Sequence, residues 1–214
     1  MEKLISGIAK FQSSSYEQRK KLFAELANGQ SPEVLFITCS DSRIDPNLLT
    51  HTEPGDLFII RNAGNIVPPH MRSAGGVTAS IEFAVTALGV EHVVVCGHSD
   101  CGAMKGALNP SGLTDLPHVQ NWLDHARGAV DCVRAKQEGH VGVESLDAVT
   151  QENVKLQLHH LRTHPAVLAK LATGSLELHG WVYDIEHGSI LAYDQQTDTF
   201  SPAHEHYHKF SKSA

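Results

Sequence analysis

The sequence predicts an α/β domain: a central, mostly parallel β-sheet of four parallel strands plus an antiparallel edge strand, flanked by helices and preceded by an N-terminal helical arm. Three observations carry this reading. Short, continuous β-rich runs occur at Val34-Leu35-Phe36-Ile37-Thr38, Leu57-Phe58-Ile59-Ile60 and His92-Val93-Val94-Val95-Cys96, as expected of strands buried on both faces. Apolar residues at helical spacing fill much of the chain around them. The 214 residues contain no internal repeat and no Pro/Gly-rich linker, so one domain is the economical reading.

Taken in order, Leu4, Ile5, Ile8 and Phe11 share one helical face. Ser14 and Glu17 have the spacing of a capping box for a second helix carrying Leu22, Phe23 and Leu26, with Gly29 as its stop. Residues 1–29 therefore form the arm, 30–194 the α/β core and 195–214 a polar tail. Between the second and third strands, Val77, Ile81, Ala84, Val85 and Leu88 have helical spacing after Gly75-Gly76. Val119, Trp122, Leu123, Ala126, Val130 and Val133 make a further stripe, and Val154, Leu158 and Leu161 another before His164-Pro165. A short helix through Val167 and Leu171 ends at Gly174. A strand over residues 176–185 then turns at His187-Gly188 into a last one at 190–193.

Composition excludes several classes. A formal net charge of −7 with 6 % aromatic residues lacks the basic, stacking surface of a nucleic-acid binder. No stretch approaches the roughly 18 apolar residues of a spanning helix, and the N-terminus lacks the apolar core of a signal peptide, which argues against a membrane partner. Four scattered cysteines, Cys39, Cys96, Cys101 and Cys132, do not read as a disulfide scaffold. Reduced thiols and a cytoplasmic location are expected. The 15 histidines stand out, because histidine is the commonest metal ligand.

Two strands end in polar clusters, Cys39-Ser40-Asp41-Ser42-Arg43 and Gly97-His98-Ser99-Asp100-Cys101-Gly102. Ligand sites of parallel sheets gather at such carboxyl ends, most of all where the winding reverses. If the strands are neighbours, Cys39, His98 and Cys101 offer two thiolates and an imidazole, a set suited to Zn²⁺, with a fourth position left for water as in a catalytic site. Asp41 either closes that shell itself or accepts a hydrogen bond from the zinc-bound water. A bidentate grip by Arg43 would hold it off the metal.

With Arg61-Asn62-Ala63-Gly64-Asn65, Gly75-Gly76, Lys105 after Cys101, and His179-Gly180-Trp181-Val182-Tyr183-Asp184, these blocks make the chain from about residue 30 to 194 resemble a β-class carbonic anhydrase, of a bacterial, plant-like or cyanate-operon-like subgroup. The resemblance implies a zinc-dependent lyase that hydrates CO₂ reversibly to bicarbonate and a proton by attack of zinc-bound hydroxide. It implies a homodimer or higher homo-oligomer whose helical arm packs on the partner subunit. Carried over residue by residue, it makes Cys39, His98 and Cys101 the zinc ligands and Asp41 with Arg43 the catalytic pair, Asp41 being a fourth ligand only in a closed form. Gln30, supplied by the neighbouring chain, then contacts substrate, and Phe58, Ala63 and Phe83 wall the CO₂ pocket. The backbone of Gly102 is a second possible donor to substrate. Arg61 and Tyr183 match two members of a non-catalytic bicarbonate site, but Phe36 stands where that site has tryptophan, which favours the open form with Asp41 on Arg43.

Plainer readings stand beside these. Cys96 reads as a core residue, Cys132 as an inert buried thiol, and His118, His125, His140, His159 and His160 as solvated positions. His204, His206 and His208 alternate in the tail and would bind metal adventitiously. Hydrolysis of CS₂ or COS on the same fold, a Cys39 nucleophile of phosphatase type, and a non-catalytic zinc-stabilised binding protein are the competing functions.

Overall fold

The computed structural model describes residues 1–71 and 75–208. The described chain divides into two compact units, residues 1–31 and the remainder from Pro32. In the first, α1 (Glu2–Lys10) continues through a π-turn (Phe11–Ser15) and a last helical turn (Tyr16–Gln18) before Arg19 breaks the run and α2 (Lys20–Leu26) follows. The break thus falls at Arg19, and the capping box expected at Ser14 does not form. Serines need not end a helix: Ser13 Oγ donates back to the Ala9 carbonyl at 2.9 Å. An aromatic trio holds the two helices together, with Phe23 lying 5.9 Å from Phe11 and 5.4 Å from Tyr16 between ring centroids. The stripe Leu4, Ile5, Ile8 and Phe11 is exposed.

The second unit is built on a six-stranded sheet of order β2-β1-β3-β4-β5-β6. β1 (Val34–Cys39), β2 (Leu57–Asn62), β3 (His92–His98) and β4 (Glu177–Asp184) are parallel, and β5 (Ser189–Asp194) and β6 (Thr199–Pro202) are antiparallel. The mostly parallel sheet is as expected, but its antiparallel side holds two strands where the sequence suggested one. β6 is four residues long, has one large apolar side chain and ends in proline, which an edge strand tolerates and pattern reading discards. Because the chain passes from β1 to β2 on one side and returns to β3 on the other, the winding reverses between β1 and β3. Cys39 and His98 end those two strands.

The remaining helices are α3 (Pro46–Thr50), α4 (Gly76–Glu82, extended by a π-turn at Phe83–Leu88), α5 (Gly102–Leu108), α6 (Pro117–Leu123), α7 (Arg127–Lys136), α8 (Leu146–Leu161), α9 (Pro165–Ala172) and α10 (Ala203–His206). Leu35, Ile37, Val93 and Val95 meet Ile81, Val85, Val154, Leu158 and Val167 in the main core. α8 lies so close to the sheet that a Cβ on Gly180 would stand 2.8 Å from Val154 Cγ1 and one on Gly97 2.9 Å from Val154 Cγ2. Only glycine lets the helix seat there. The other sheet face carries Phe36, Val94 and Cys96 with Trp181 and Tyr183. No helix of the described residues is long and apolar enough to cross a membrane.

Candidate active site and metal centre

Cys39 is the last residue of β1, His98 the last of β3, and Cys101 caps α5. The turn between them uses Asp100 at φ +57°, a left-handed conformation that aspartate tolerates better than most residues. The ligand atoms of Cys39, His98 and Cys101 lie within 4.8 Å of one another, and the three residues are 5 %, 0 % and 1 % exposed. His98 Nδ1 stands 2.8 Å from the Ser99 carbonyl. A carbonyl only accepts, so Nδ1 carries the proton and Nε2 the lone pair. That Nε2 is buried and, among the described residues, has no hydrogen-bond partner. A buried unpaired nitrogen costs stability unless something binds it.

The thiols point to what binds. The Cys101 thiol beside Cys39 pulls the Cys39 pKa down to about 4, helped by His98 and by the Gly64 N–H, which donates to Cys39 Sγ at 3.4 Å. The same neighbouring thiolate, together with burial, pushes Cys101 up. Ionising one sulfur thus hinders the other, an opposition that a bound cation would relieve. Two sulfurs and one imine nitrogen are the donor set of tetrahedral zinc. The residues present fit that metal.

Beside this cluster, Arg43 grips Asp41 with two parallel bonds, Nε to Oδ1 at 2.9 Å and Nη2 to Oδ2 at 2.8 Å, and its own N–H adds a third at 3.0 Å. These bonds hold the Asp41 carboxyl far below the usual carboxylate range. Arg43 Nη1 also reaches Asp100 Oδ2 at 3.0 Å, and Lys105 pairs with the other Asp100 oxygen. Asp41 Oδ2 lies 3.9 Å from His98 Nε2, so the carboxylate borders the three-donor cluster while its oxygens are held by arginine. Arg61 donates to the carbonyls of Cys39 at 3.0 Å and Asp41 at 2.7 Å, which fixes the backbone of the strand end.

A family model described as carbonic anhydrase matches residues 34–190, most of the chain. The chain belongs to the carbonic anhydrase family. A carbonic anhydrase of Pseudomonas aeruginosa is 50 % identical over 209 residues, covering 96 % of this chain and 93 % of that protein. The solved structure of the β-carbonic anhydrase CcaA superposes with a TM-score of 0.91 at 45 % identity, covering 94 % of this chain and 91 % of that one. A structure from a report on two tetrameric β-carbonic anhydrases of Sordaria macrospora gives 0.78 at 32 % identity, over 89 % and 95 % of the two chains. The chain is thus a β-class carbonic anhydrase, a zinc lyase that hydrates CO₂ reversibly to bicarbonate.

In this carbonic anhydrase the expected substrate residues do not all meet. Phe58 and Phe83 pack together, centroids 6.0 Å apart, and Phe83 is 48 % exposed. Phe58 pairs with Leu35, four residues before Cys39, which is about 13 Å along the strand. Ala63 lies instead in the loop beside Cys39, its carbonyl accepting Trp122 Nε1 at 2.8 Å. Gly102 opens α5 and is exposed, as is Gln30 in the first unit. Phe36 and Tyr183 belong to the apolar sheet face, where Phe36 meets Trp181 edge-on at 6.0 Å.

Two expectations for other residues need correction. His160 is not solvated: it is half-buried, and Nδ1 donates to the Val67 carbonyl at 2.8 Å. Cys132 is only partly buried, with Sγ 3.4 Å from Glu152 Oε2, because its helix position faces a charged cluster rather than the core. Cys96 is fully buried as expected. Sequence reading missed the buried amides that shape the loop behind Cys39. Asn153 Nδ2 donates to the Gly64 carbonyl at 3.0 Å, Gln157 Nε2 to Asn153 Oδ1 at 2.8 Å, and Gln157 Oε1 accepts the Val67 N–H at 2.9 Å. Their signal was two amides four apart, flanking the apolar stripe of α8.

Proposed function

We propose that Cys39, His98 and Cys101 hold the zinc of this carbonic anhydrase, and that Asp41, positioned by Arg43, orients the reacting water. Bound there, zinc supplies a Lewis acid strong enough to bring the pKa of water from 15.7 to around 7. The observation that carries the reading is the buried, unpartnered His98 Nε2 gathered within 4.8 Å of the two cysteine sulfurs.

Asp41 is ionised through the whole neutral range because Arg43 neutralises it, so its oxygens only accept. A carboxylate that only accepts engages a water or hydroxide through that molecule's hydrogen, leaving the oxygen lone pair directed at carbon. The same grip supports the open form, since both Asp41 oxygens are taken by arginine. Arg61, already bonded to two backbone carbonyls, acts as a strut of the strand end rather than as half of a bicarbonate pocket with Tyr183. CO₂ is small and uncharged, so apolar walls from Ala63, Phe58 and Phe83, with a donor from the Gly102 backbone or from Gln30 supplied by the neighbouring chain, suffice to place it.

The enzyme works as a homo-oligomer. Phe58 lies far along the strand from Cys39 in its own chain, and Phe83 with the Leu4, Ile5, Ile8 and Phe11 stripe is exposed, so a second copy both completes the pocket and covers these side chains. The tetrameric relatives support this. A site needing two reduced cysteines, in a chain whose four cysteines are all free thiols, supports a cytoplasmic location. Cys101→Ser tests the assignment: zinc content and CO₂ hydration are expected to fall together, and a variant that keeps either one contradicts it.

A further inference from the structure

We propose that His92, Glu177 and His179 form a second metal site, for a borderline divalent cation such as zinc, cobalt or nickel, at the opposite end of the sheet from the catalytic centre. His92 opens β3 and Glu177 opens β4, six residues or about 20 Å of strand from His98. Parallel register sets Glu177 directly opposite His92, and His179, two residues on, shares their face.

The donors are already gathered. His92 Nδ1 lies 3.1 Å from His179 Nε2, and Glu177 Oε2 lies 4.0 Å and 3.8 Å from those two nitrogens. A tetrahedral cation with bonds of about 2.0–2.1 Å to nitrogen and oxygen separates neighbouring ligand atoms by about 3.3 Å. The three atoms thus approximate one face of such a site, and a small turn of the exposed Glu177 side chain closes the difference. Two facing imidazole nitrogens must otherwise share one proton, which leaves the carboxylate outside the bond. A divalent cation takes that proton's place and engages all three donors, with its fourth position toward solvent. Imidazole and carboxylate donors suit these metals and contrast with the sulfur-rich catalytic set.

The shell behind the ligands is built as well. His179 Nδ1 is 3.0 Å from the Tyr207 hydroxyl oxygen, which also accepts Trp181 Nε1 at 2.9 Å. That contact fixes the ring and aims Nε2 at His92, the outer-shell hydrogen bond that metal-binding histidines ordinarily make. Burial pushes the His179 pKa down to about 4, which keeps the ring neutral and able to ligate at physiological pH. A bound cation would tie the starts of β3 and β4 to the C-terminal helix through Tyr207.

Zinc-loaded enzyme, its catalytic site filled, is titrated with Co²⁺. The expected result is one further equivalent per chain, with ligand-field absorption and none of the sulfur-to-cobalt charge transfer that a thiolate site produces. H92A and E177Q are expected to lose this equivalent while retaining the catalytic zinc, which also reports an intact fold. The triple variant H204A/H206A/H208A, which removes the tail histidines, is expected to keep it. The proposal is overturned if wild-type enzyme takes up no further cobalt at micromolar concentration, if uptake persists in H92A, or if it disappears with the tail histidines.

Discussion

Replacing Asp41 by asparagine separates the work of the carboxylate from that of the metal. The substitution keeps the size of the side chain but removes the charge that receives the Arg43 fork at 2.8 Å and 2.9 Å. One oxygen acceptor becomes an amide donor. If that NH₂ turns toward Arg43, two donors face each other; if it turns toward the metal, the acceptor that orients water is lost. Neither arrangement serves the reaction, and a positioned acid–base group is typically worth about 10²- to 10⁴-fold in rate, or about 3–5 kcal/mol of barrier. Zinc content stays at the wild-type level, because the three buried donors are untouched. Stability changes little, since Arg43 is 43 % exposed and water screens the pair. Stopped-flow CO₂ hydration, zinc content and a thermal melt on the same preparation separate the three effects. An Asp41→Asn enzyme with wild-type kcat and full zinc refutes the role given to this residue.

Three further predictions follow from the packing and the buried polar groups. Gln157→Leu leaves the Val67 N–H buried without its acceptor, so the urea midpoint is expected to fall by about 1–3 kcal/mol equivalent at unchanged m. Gly180→Ala forces a methyl against Val154 and Leu158 and is expected to cost about 1–3 kcal/mol in thermal unfolding, whereas a neutral result would mean that α8 can slide. His179 titrates at about 4 in the folded protein against 6.5 when unfolded. Between those values the unfolded chain binds more protons, so stability is full above about pH 6.5 and falls as pH drops toward 4, by up to about 3 kcal/mol. Urea unfolding without added metal at neutral and mildly acidic pH, for wild type and His179→Gln, measures this: the variant's stability should depend less on pH over that range.

Much of the fold was readable because parallel strands buried on both faces appear as unbroken apolar runs, as in β1 and β3. β6 and the five-residue α3 are too short to develop a period, and the first unit's helix break depends on aromatic packing rather than on the Ser14 signal. The candidate site was legible for a different reason. Cys39, Asp41 and Arg43 sit within five residues, as do His98 and Cys101, so local sequence carries the donor set once topology makes β1 and β3 neighbours. What stayed hidden were contacts across long separations. Asn153 and Gln157 reach the Gly64–Val67 loop from about 90 positions away, and the pairing of Phe58 with Leu35 appears only with the strand register.

CO₂ hydration by this chain, as proposed, runs on zinc held by Cys39, His98 and Cys101. Oxygen-isotope exchange from labelled CO₂ tests it most directly, measured on the same sample before metal removal, after it, and after one equivalent of zinc per chain is returned. Fast exchange is expected, lost with the metal and recovered in proportion to the zinc bound, with no recovery in Cys101→Ser. Exchange that persists in the metal-free protein, or that zinc restores to Cys101→Ser, would contradict it.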